Sequence, residues 1–261
     1  MEDILARANR AVLAQFAWSN VLLAFDYDGT LAPIVDDPAE ARMRPRTREL
    51  LERVTGLFRC VVISGRSQAD VLRRLRGVGV FEVIGNHGLE PWRRTEEFAA
   101  RVQTWLPVLR GELAALKGVT IEDKLFSLAV HYRQSRNKKA AREAILGSAS
   151  RLGGARVVGG KQVVNLLPEG APHKGVALEA ARDRLGCDTA IYVGDDETDE
   201  DVFALDEPGR LLTVRVGELP SSRAAFYIRG QDDIDEFLRT LVSLRLTAPR
   251  RAKAAERAER P

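Results

Sequence analysis

Apolar runs that stop at a turn or polar residue recur along the chain. They are Val21 to Phe25 before Asp26, Cys60 to Ile63 before Ser64, Val80 onward to Asn86, Thr189 to Gly194, Leu211 to Val216 and Ala225 to Ile228. A strand covered on both faces by helices has this near-continuous hydrophobic character, whereas a half-exposed strand alternates. Helical patterns fall between the runs. Pro45 to Leu57 opens on proline and places apolar or small side chains at helical spacing. Ser67 to Leu75 has Ser67 as its N-cap, and Lys174 to Leu185 stops at Gly186. Met1 to Phe16 also alternates charged and apolar residues in a helical pattern. Strands alternating with helices predict an α/β fold, a parallel sheet with right-handed crossovers.

Glu90 to Pro168 follows another rule. A long helical pattern is succeeded by alternating runs at Leu125 to Arg133 and Gln162 to Leu167, with an amphipathic helix over Asn137 to Leu152 between them. Alternation of this kind marks antiparallel strands with one solvated face. The expected division is therefore a core of residues 1–89 and 169–247, an α+β insertion at 90–168 placed as a cap over the sheet's active edge, and a basic disordered tail at 248–261. The competing arrangement extends one large sheet with these strands. No internal repeat is present.

Composition narrows the function classes. The chain has 261 residues and a formal charge of +3. The segment from Pro249 onward holds five Arg or Lys against two Glu, so the remaining body is formally neutral. The basic pI of about 9.0 thus reflects a short tail rather than a nucleic-acid-binding face. Cys60 and Cys187 are far apart beside apolar runs and read as buried free thiols. No run approaches the roughly 20 apolar residues of a membrane helix, and the N-terminus does not resemble a signal peptide. A cytoplasmic location, no nucleic-acid or membrane partner, and a monomer or weak dimer are the expectations.

Four pieces distant in sequence each end an apolar run or open a helix, and each offers something phosphoryl transfer requires. Asp26 and Asp28 supply one carboxylate to attack phosphorus and another to exchange a proton with the leaving alkoxide and then with water. Ser64-Gly65-Arg66 offers a hydroxyl, a flexible backbone N–H and a guanidinium to phosphate oxygens. Lys174, at a helix start after Pro172, can neutralise phosphate charge beside the helix's positive end. Gly194-Asp195-Asp196-Glu197-Thr198-Asp199-Glu200 places five acids within six positions. Gathering these acids with Asp26 and Asp28 requires a cation, and magnesium suits oxygen ligands. The expected ligands are Asp26, an oxygen of Asp28, and Asp195, with Asp196 and Asp199 holding metal-bound waters. Turn formation by Asp26 to Gly29, and ordinary capping by acids of a helix N-terminus at 199–201, are the non-catalytic readings. No Gly-x-x-x-x-Gly-Lys-Ser/Thr loop occurs. His87 lies on the same presumed sheet edge and is assigned to substrate binding.

With these pieces in this order, the chain resembles the haloacid dehalogenase superfamily. Its Asp-x-Asp-Gly-Thr-Leu signature matches Asp26 to Leu31, and its later motifs match Ser64, Lys174 and Gly194-Asp195-Asp196. The insertion resembles a C2-type cap on a Rossmann-like core. Within that branch the chain is similar to trehalose-6-phosphate phosphatases over about Val21 to Leu238. The supporting strings are Ile63 to Arg66, Gly85-Asn86-His87-Gly88, Ser127 to Arg133, Gly160-Lys161, His173-Lys174-Gly175 and Gly194 to Glu200.

The resemblance implies a magnesium-dependent phosphatase of trehalose 6-phosphate, with Asp26 carrying an aspartyl-phosphate and Asp28 as acid and base. Gly65, Arg66, Asn86, His87, Gly88, Lys124, His131, Arg133, Lys161, Asn165 and Glu200 are the expected substrate contacts. One string departs from the family pattern, with Asn165 where glutamate is usual and Leu167 where arginine is common. Asparagine donates and accepts hydrogen bonds but lacks a carboxylate's charge. That keeps other esters in view, among them mannosyl-phosphoglycerate, sucrose phosphate and glucosylglycerol phosphate. A phosphoacceptor signalling module and a catalytically silent binding protein are the readings from other classes.

Overall fold

The structure is a computed structural model that describes residues 1–91, 96–205 and 207–248. Of the expected basic tail, everything beyond Ala248 lies outside the described residues. The apolar runs form the strands β2 (Val21–Phe25), β3 (Arg59–Ile63), β4 (Glu82–Ile84), β9 (Thr189–Gly194), β10 (Leu211–Val216) and β11 (Phe226–Ile228). With a two-residue edge strand, β1 (Glu2–Asp3), they make a seven-stranded sheet in the order β1-β11-β10-β9-β2-β3-β4, parallel throughout.

The unbroken apolar character of β2 has a direct cause in its two covered faces. Val21, Leu23 and Phe25 enter one buried cluster with Leu50, Leu51, Phe237 and Leu241, while Leu22 and Ala24 enter the other with Ala177, Leu178 and Tyr192. Helices α1 (Arg10–Trp18), α2 (Pro45–Thr55) and α8 (Ile234–Leu246) contribute to the first face. The second is covered by α6 (Lys174–Arg184) and the short α7 (Glu200–Phe203). In α3 (Gln68–Arg74), the Ser67 side chain accepts from Asp70 N, and Gly186 follows α6 with φ 60°.

A four-stranded antiparallel sheet, β5-β6-β8-β7, uses β5 (Thr120–Asp123), β6 (Leu128–His131), β7 (Ala155–Gly160) and β8 (Val163–Pro168). It is a separate sheet rather than an extension of the parallel one. On one face, Leu128, Val130, Val164 and Leu166 pack against α4 (Glu96–Leu113) and α5 (Lys138–Ala149). By the two-residue period of strands, Ala129, His131 and Asn165 lie on the other.

Three local expectations change. Met1 to Phe16 is not one helix, because Glu2 and Asp3 pair in parallel with Phe226 and Tyr227 before α1 begins at Arg10. The Val80 to Asn86 run yields strand only at Glu82–Ile84, since Asn86 and His87 turn into positive φ, 47° and 59°. In Leu125 to Arg133 the strand begins at Leu128, because Leu125 has φ 72° and its N–H donates to Asp123 Oδ1 in a turn.

The turn after β4 buries His87 against Gly65, where an added Cβ would come within 2.4 Å of the imidazole Cε1. Neither ring nitrogen has a hydrogen-bond partner among the described residues. Burial, helped by the positive charges of Lys124, Lys174 and Arg156, holds this imidazole well below the usual histidine range. The folded chain therefore stays unprotonated at a pH where the unfolded chain, titrating near 6.5, takes up a proton. The unfolded state binds the extra proton, so this group costs stability as pH falls from about 6.5 toward the depressed folded value. In urea denaturation, His87→Asn, which tolerates positive φ, should lose less stability than the wild type between about pH 7.5 and about pH 5.5. Equal losses would show that the buried ring is not the cause.

Candidate active site

In the sheet, β2 and β9 are neighbours, and the chain leaves them in opposite directions, through β3 to β4 and through β10 to β11. Crevices beyond the strand ends at such a reversal are where open α/β sheets hold ligands. Asp26 continues β2 by donating its N–H to Val193 O at 2.9 Å, and Asp195 follows β9 directly. One carboxylate oxygen each from Asp26, Asp195 and Asp199 lie within 4.8 Å of one another, all three residues being buried. Gly29, at φ 81°, makes this possible: a Cβ there would sit 2.1 Å from Asp195 Oδ2.

Lys174 enters the acid cluster from the first turn of α6. Its ammonium donates to Asp26 Oδ1 at 3.0 Å and to Asp199 Oδ1 at 2.7 Å, and the side chain is 2% exposed. Burial alone would lower its pKa, but Asp199 and Asp26 outweigh it and push the group upward, so the lysine stays charged. Asp199 accepts four donors in all. Lys174 and the Tyr192 hydroxyl bind Oδ1, while the N–H groups of Asp195 and Asp196 bind Oδ2 at 2.8 Å each.

The acids outnumber this cation. Burial raises Asp26 well above the ordinary carboxylate range; Lys174 opposes the shift, and Asp199, Asp195 and Asp28 add to it. Burial likewise pushes Asp195 up to about 7, against the Lys161 ammonium. Asp195 Oδ1 is buried without a hydrogen-bond partner, while Oδ2 accepts from Lys161 Nζ at 2.6 Å. An orphaned carboxylate oxygen amid like charges is what a hard divalent ion relieves, and oxygen donors suit such an ion. The residues therefore fit a metal. Asp199 has its lone pairs engaged by protein donors, and Asp196 Oδ1 accepts from Glu197 N at 2.8 Å. Both carboxylates thus organise the loop, and no oxygen of Asp199 is left over for a bound water.

Asp28 is turned toward β3. Arg66 grips it with two hydrogen bonds, Nε to Oδ2 at 2.6 Å and Nη2 to Oδ1 at 2.7 Å, and holds Asp70 through Nη1 at 2.8 Å. The guanidinium expected at phosphate oxygens is thereby committed to the second aspartate of the motif. Ser64 is buried, and its Oγ accepts from Arg66 N at 3.2 Å. Asn86 donates to Lys124 O at 3.1 Å, and Lys124 Nζ donates to Gly65 O at 3.0 Å. Gly88, at φ 115°, lies close to His173 O and so backs the start of α6.

Lys124, Arg133 and Lys161 thus reach from the antiparallel sheet to the parallel one. Arg133 donates to Val35 O, and Lys161 reaches Asp195. His131 pairs with Glu122 at 2.9 Å instead. Asn165 is buried between Ala129 of β6 and Val158 of β7. A cavity of about 640 Å³ opens beside them, lined by Ile34, Val35, Asp36, Arg133, Lys138, Lys161 and Gln162. Glu200 stands apart, its carboxylate taken by Arg215 Nη1 at 3.1 Å and Arg223 N at 2.9 Å.

Two contributors went unrecognised in the sequence. Tyr192 lies in the middle of β9 and Arg215 near the end of β10, where Arg215 Nη2 donates to Asp195 O at 2.6 Å. A phenol and a guanidinium inside buried apolar runs each require a polar partner, which was the available signal.

The matches to known proteins agree with this geometry. Residues 24–224 match the family model for trehalose-phosphatase. A trehalose-phosphate phosphatase of Mycolicibacterium paratuberculosis is 35% identical over 251 residues, spanning 90% of this chain and 60% of the relative. The chain thus spans about 60% of the length of that relative. Among solved structures, the C-terminal domain of Candida albicans trehalose-6-phosphate phosphatase shares the fold with a TM-score of 0.77 at 22% identity, covering 90% of this chain and 97% of that one. A HAD subclass IIB sugar phosphatase does so with a TM-score of 0.56 at 14% identity, covering 84% and 97%. With a family model covering most of its length, the chain belongs to the trehalose-phosphatase family.

Proposed function

We propose that this chain is a magnesium-dependent phosphatase that hydrolyses trehalose 6-phosphate to trehalose and inorganic phosphate through an aspartyl-phosphate on Asp26. The observation that carries the reading is the buried Lys174 ammonium between Asp26 and Asp199, with Asp195 beside them. A nucleophile held against a permanent cation at a sheet's switch point is suited to a dianionic phosphate.

In the first half-reaction an oxygen of Asp26 bonds to phosphorus and the bond from phosphorus to the sugar oxygen breaks, while Asp28 gives its proton to that oxygen. In the second, water bonds to phosphorus and yields a proton to Asp28. The bond between phosphorus and Asp26 breaks, so phosphate leaves and both side chains return to their starting state. Lys174 holds phosphate charge throughout, Ser64 offers its hydroxyl to a phosphate oxygen, and Arg66 aims Asp28. Asp26, Asp195 and an oxygen of Asp28 would hold magnesium, which supplies the further positive charge that phosphate monoester cleavage demands. Residues 90–168 act as the cap over the site, and Lys124, Arg133 and Lys161 place the sugar and exclude water.

A second reading shares the chemistry and changes the sugar. Asn165 motivates it: buried on the sheet that faces the site, it offers no negative charge to a sugar hydroxyl. It has mannosyl-phosphoglycerate, sucrose phosphate or glucosylglycerol phosphate as substrate.

Three measurements test these readings. Asp26→Asn should lower turnover by at least about 10³-fold while the circular dichroism spectrum and melting are retained; residual wild-type turnover would remove Asp26 as the nucleophile. Magnesium about 100-fold above its Kd should stabilise the metal-stripped wild type by about 2.7 kcal/mol, roughly 5–10 °C in melting temperature. Asp195→Asn should show little of this gain, and an undiminished gain would place the ion elsewhere. In a panel of these phosphate esters at equal concentration, trehalose 6-phosphate should be hydrolysed fastest. A faster competitor would transfer the assignment to the second reading.

A further inference from the structure

A second cavity, of about 410 Å³, lies on the parallel-sheet part of the molecule, lined by Tyr27, Ala39, Arg42, Met43, Arg48, Asp70, Arg73 and Arg74. Its volume falls in the roughly 300–1,000 Å³ range of small-molecule sites. No residue of the antiparallel sheet lines it, and it shares no lining residue with the cavity beside Lys161.

Its walls carry four guanidinium groups against one carboxylate. The inner arginines are held in place by the chain itself. Arg74 donates to Pro38 O, Ala39 O and Ala41 O as well as to Asp70, and Arg48 donates to Arg74 O and Arg76 O and pairs with Glu52 at 3.2 Å. Bonds to peptide carbonyls fix these guanidiniums; Glu52 and Asp70 offset part of their charge, and four guanidiniums against one lining carboxylate leave the cavity positive. The outer arginines have donors to spare. Arg73 is 74% exposed and touches Asp70 through one nitrogen, and Arg42 has no hydrogen-bond or ion-pair partner among the described residues.

Tyr27 is the independent observation. It lines the cavity, is fully buried, and its hydroxyl, beside the Arg74 guanidinium, donates its proton to no acceptor among the described residues. A buried phenol normally finds one. Here the hydroxyl can donate to an acceptor that enters the cavity between the arginines.

We infer that this cavity is a binding site for a small phosphorylated molecule, separate from the site at Asp26, with Arg42, Arg73 and the Tyr27 hydroxyl as its donors and Arg48 and Arg74 as its fixed charges. Guanidinium forks match phosphate oxygens two at a time, which favours phosphate over carboxylate or halide. The site also has a path to the chemistry. Asp70 is shared between Arg73 and Arg74 on the cavity side and Arg66 on the other, and Arg66 is the group that holds Asp28. An anion that draws the exposed Arg73 toward itself leaves Asp70 with one donor fewer and so strengthens its competition with Asp28 for Arg66. Occupancy therefore alters how Asp28 is aimed; this coupling, unlike the binding, rests on the function proposed above.

Calorimetric titration with fructose 1,6-bisphosphate as a two-phosphate probe tests the binding without reference to activity. Wild type and Asp26→Asn should both show a component that weakens at least about 10-fold in Arg42→Gln/Arg73→Gln. Both exchanged residues lie at the surface, and unchanged melting of the double variant would confirm its fold. An identical isotherm in the double variant overturns the site. Tyr27→Phe supplies a second probe, and should weaken the same component. For the coupling, the probe should change kcat with the phosphate ester in the wild type but not in the double variant, each compared with its own turnover in the absence of the probe. A change in KM alone, equal in both proteins, would show competition at Asp26 and overturn the coupling while leaving the calorimetric result to stand by itself.

Discussion

A single ammonium held among a surplus of buried carboxylates is the interaction on which the site depends. Asp26, Asp195 and Asp199 are withdrawn from water within a few ångströms of one another, and Lys174 is the cation fixed by two of them. Attraction between unit charges strengthens as the surroundings dry, but so does the repulsion among the acids. The arrangement therefore leaves a net demand for positive charge. Its physical signs are the raised carboxyl groups of Asp26 and Asp195 and the unpartnered Oδ1 of Asp195. In this structure Lys161, arriving from the antiparallel sheet, meets part of that demand.

The fold delivers this concentration of charge through elements that cannot easily relax. Asp26 and Asp195 are carried on the ends of adjacent parallel strands whose side chains are buried on both faces, so neither backbone can withdraw without unpacking a core. Asp199 acts as the local organiser. Its four accepted hydrogen bonds tie the loop after β9 to Lys174 on α6 and to Tyr192 within β9. A carboxylate so fully engaged fixes the lysine in the orientation that meets Asp26. Arg66 does for Asp28 what Asp199 does for Lys174, and its planar fork makes the grip directional.

Much of this could be read from the chain before any coordinates. The parallel core was legible because continuous apolar runs report burial on both faces, and the motif residues were legible because each one ended such a run. Capping was visible where a short polar side chain preceded a helix, as at Ser67. What escaped notice depended on pairings across the fold. Glu2 and Asp3 form an edge strand only because β11 offers them a partner, a long-range effect that local helical spacing cannot report. Arg66 was expected at phosphate because its own sequence neighbours point there; the preference for Asp28 and Asp70 comes from how β3 and α3 sit beside β2. Glu200 was expected at the substrate, yet Arg215 from β10 and the N–H of Arg223 claim its carboxylate. Strands β5 and β7 carried too little apolar alternation to stand out, and their existence follows from pairing with β6 and β8.

Close approach sets the tolerance of the site. At Gly29 and Gly194 an added methyl group would fall within 2.5 Å of the carboxylates of Asp195 and Asp199 respectively. Gly29 is constrained twice, since its φ of 81° is also a conformation that side chains with a Cβ disfavour. Relief at either position would require a strand end to move, and the strands are locked by packing on both faces. Alternatively the carboxylate itself would rotate, and Asp199 cannot do so without breaking hydrogen bonds to a buried lysine, a buried phenol and two backbone amides. Rigidity of the sheet, absence of side chains at two positions and saturation of one carboxylate are thus a single constraint seen from three sides. The acids converge because nothing lies between them, and they stay converged because every route of retreat exposes an unpaired polar group.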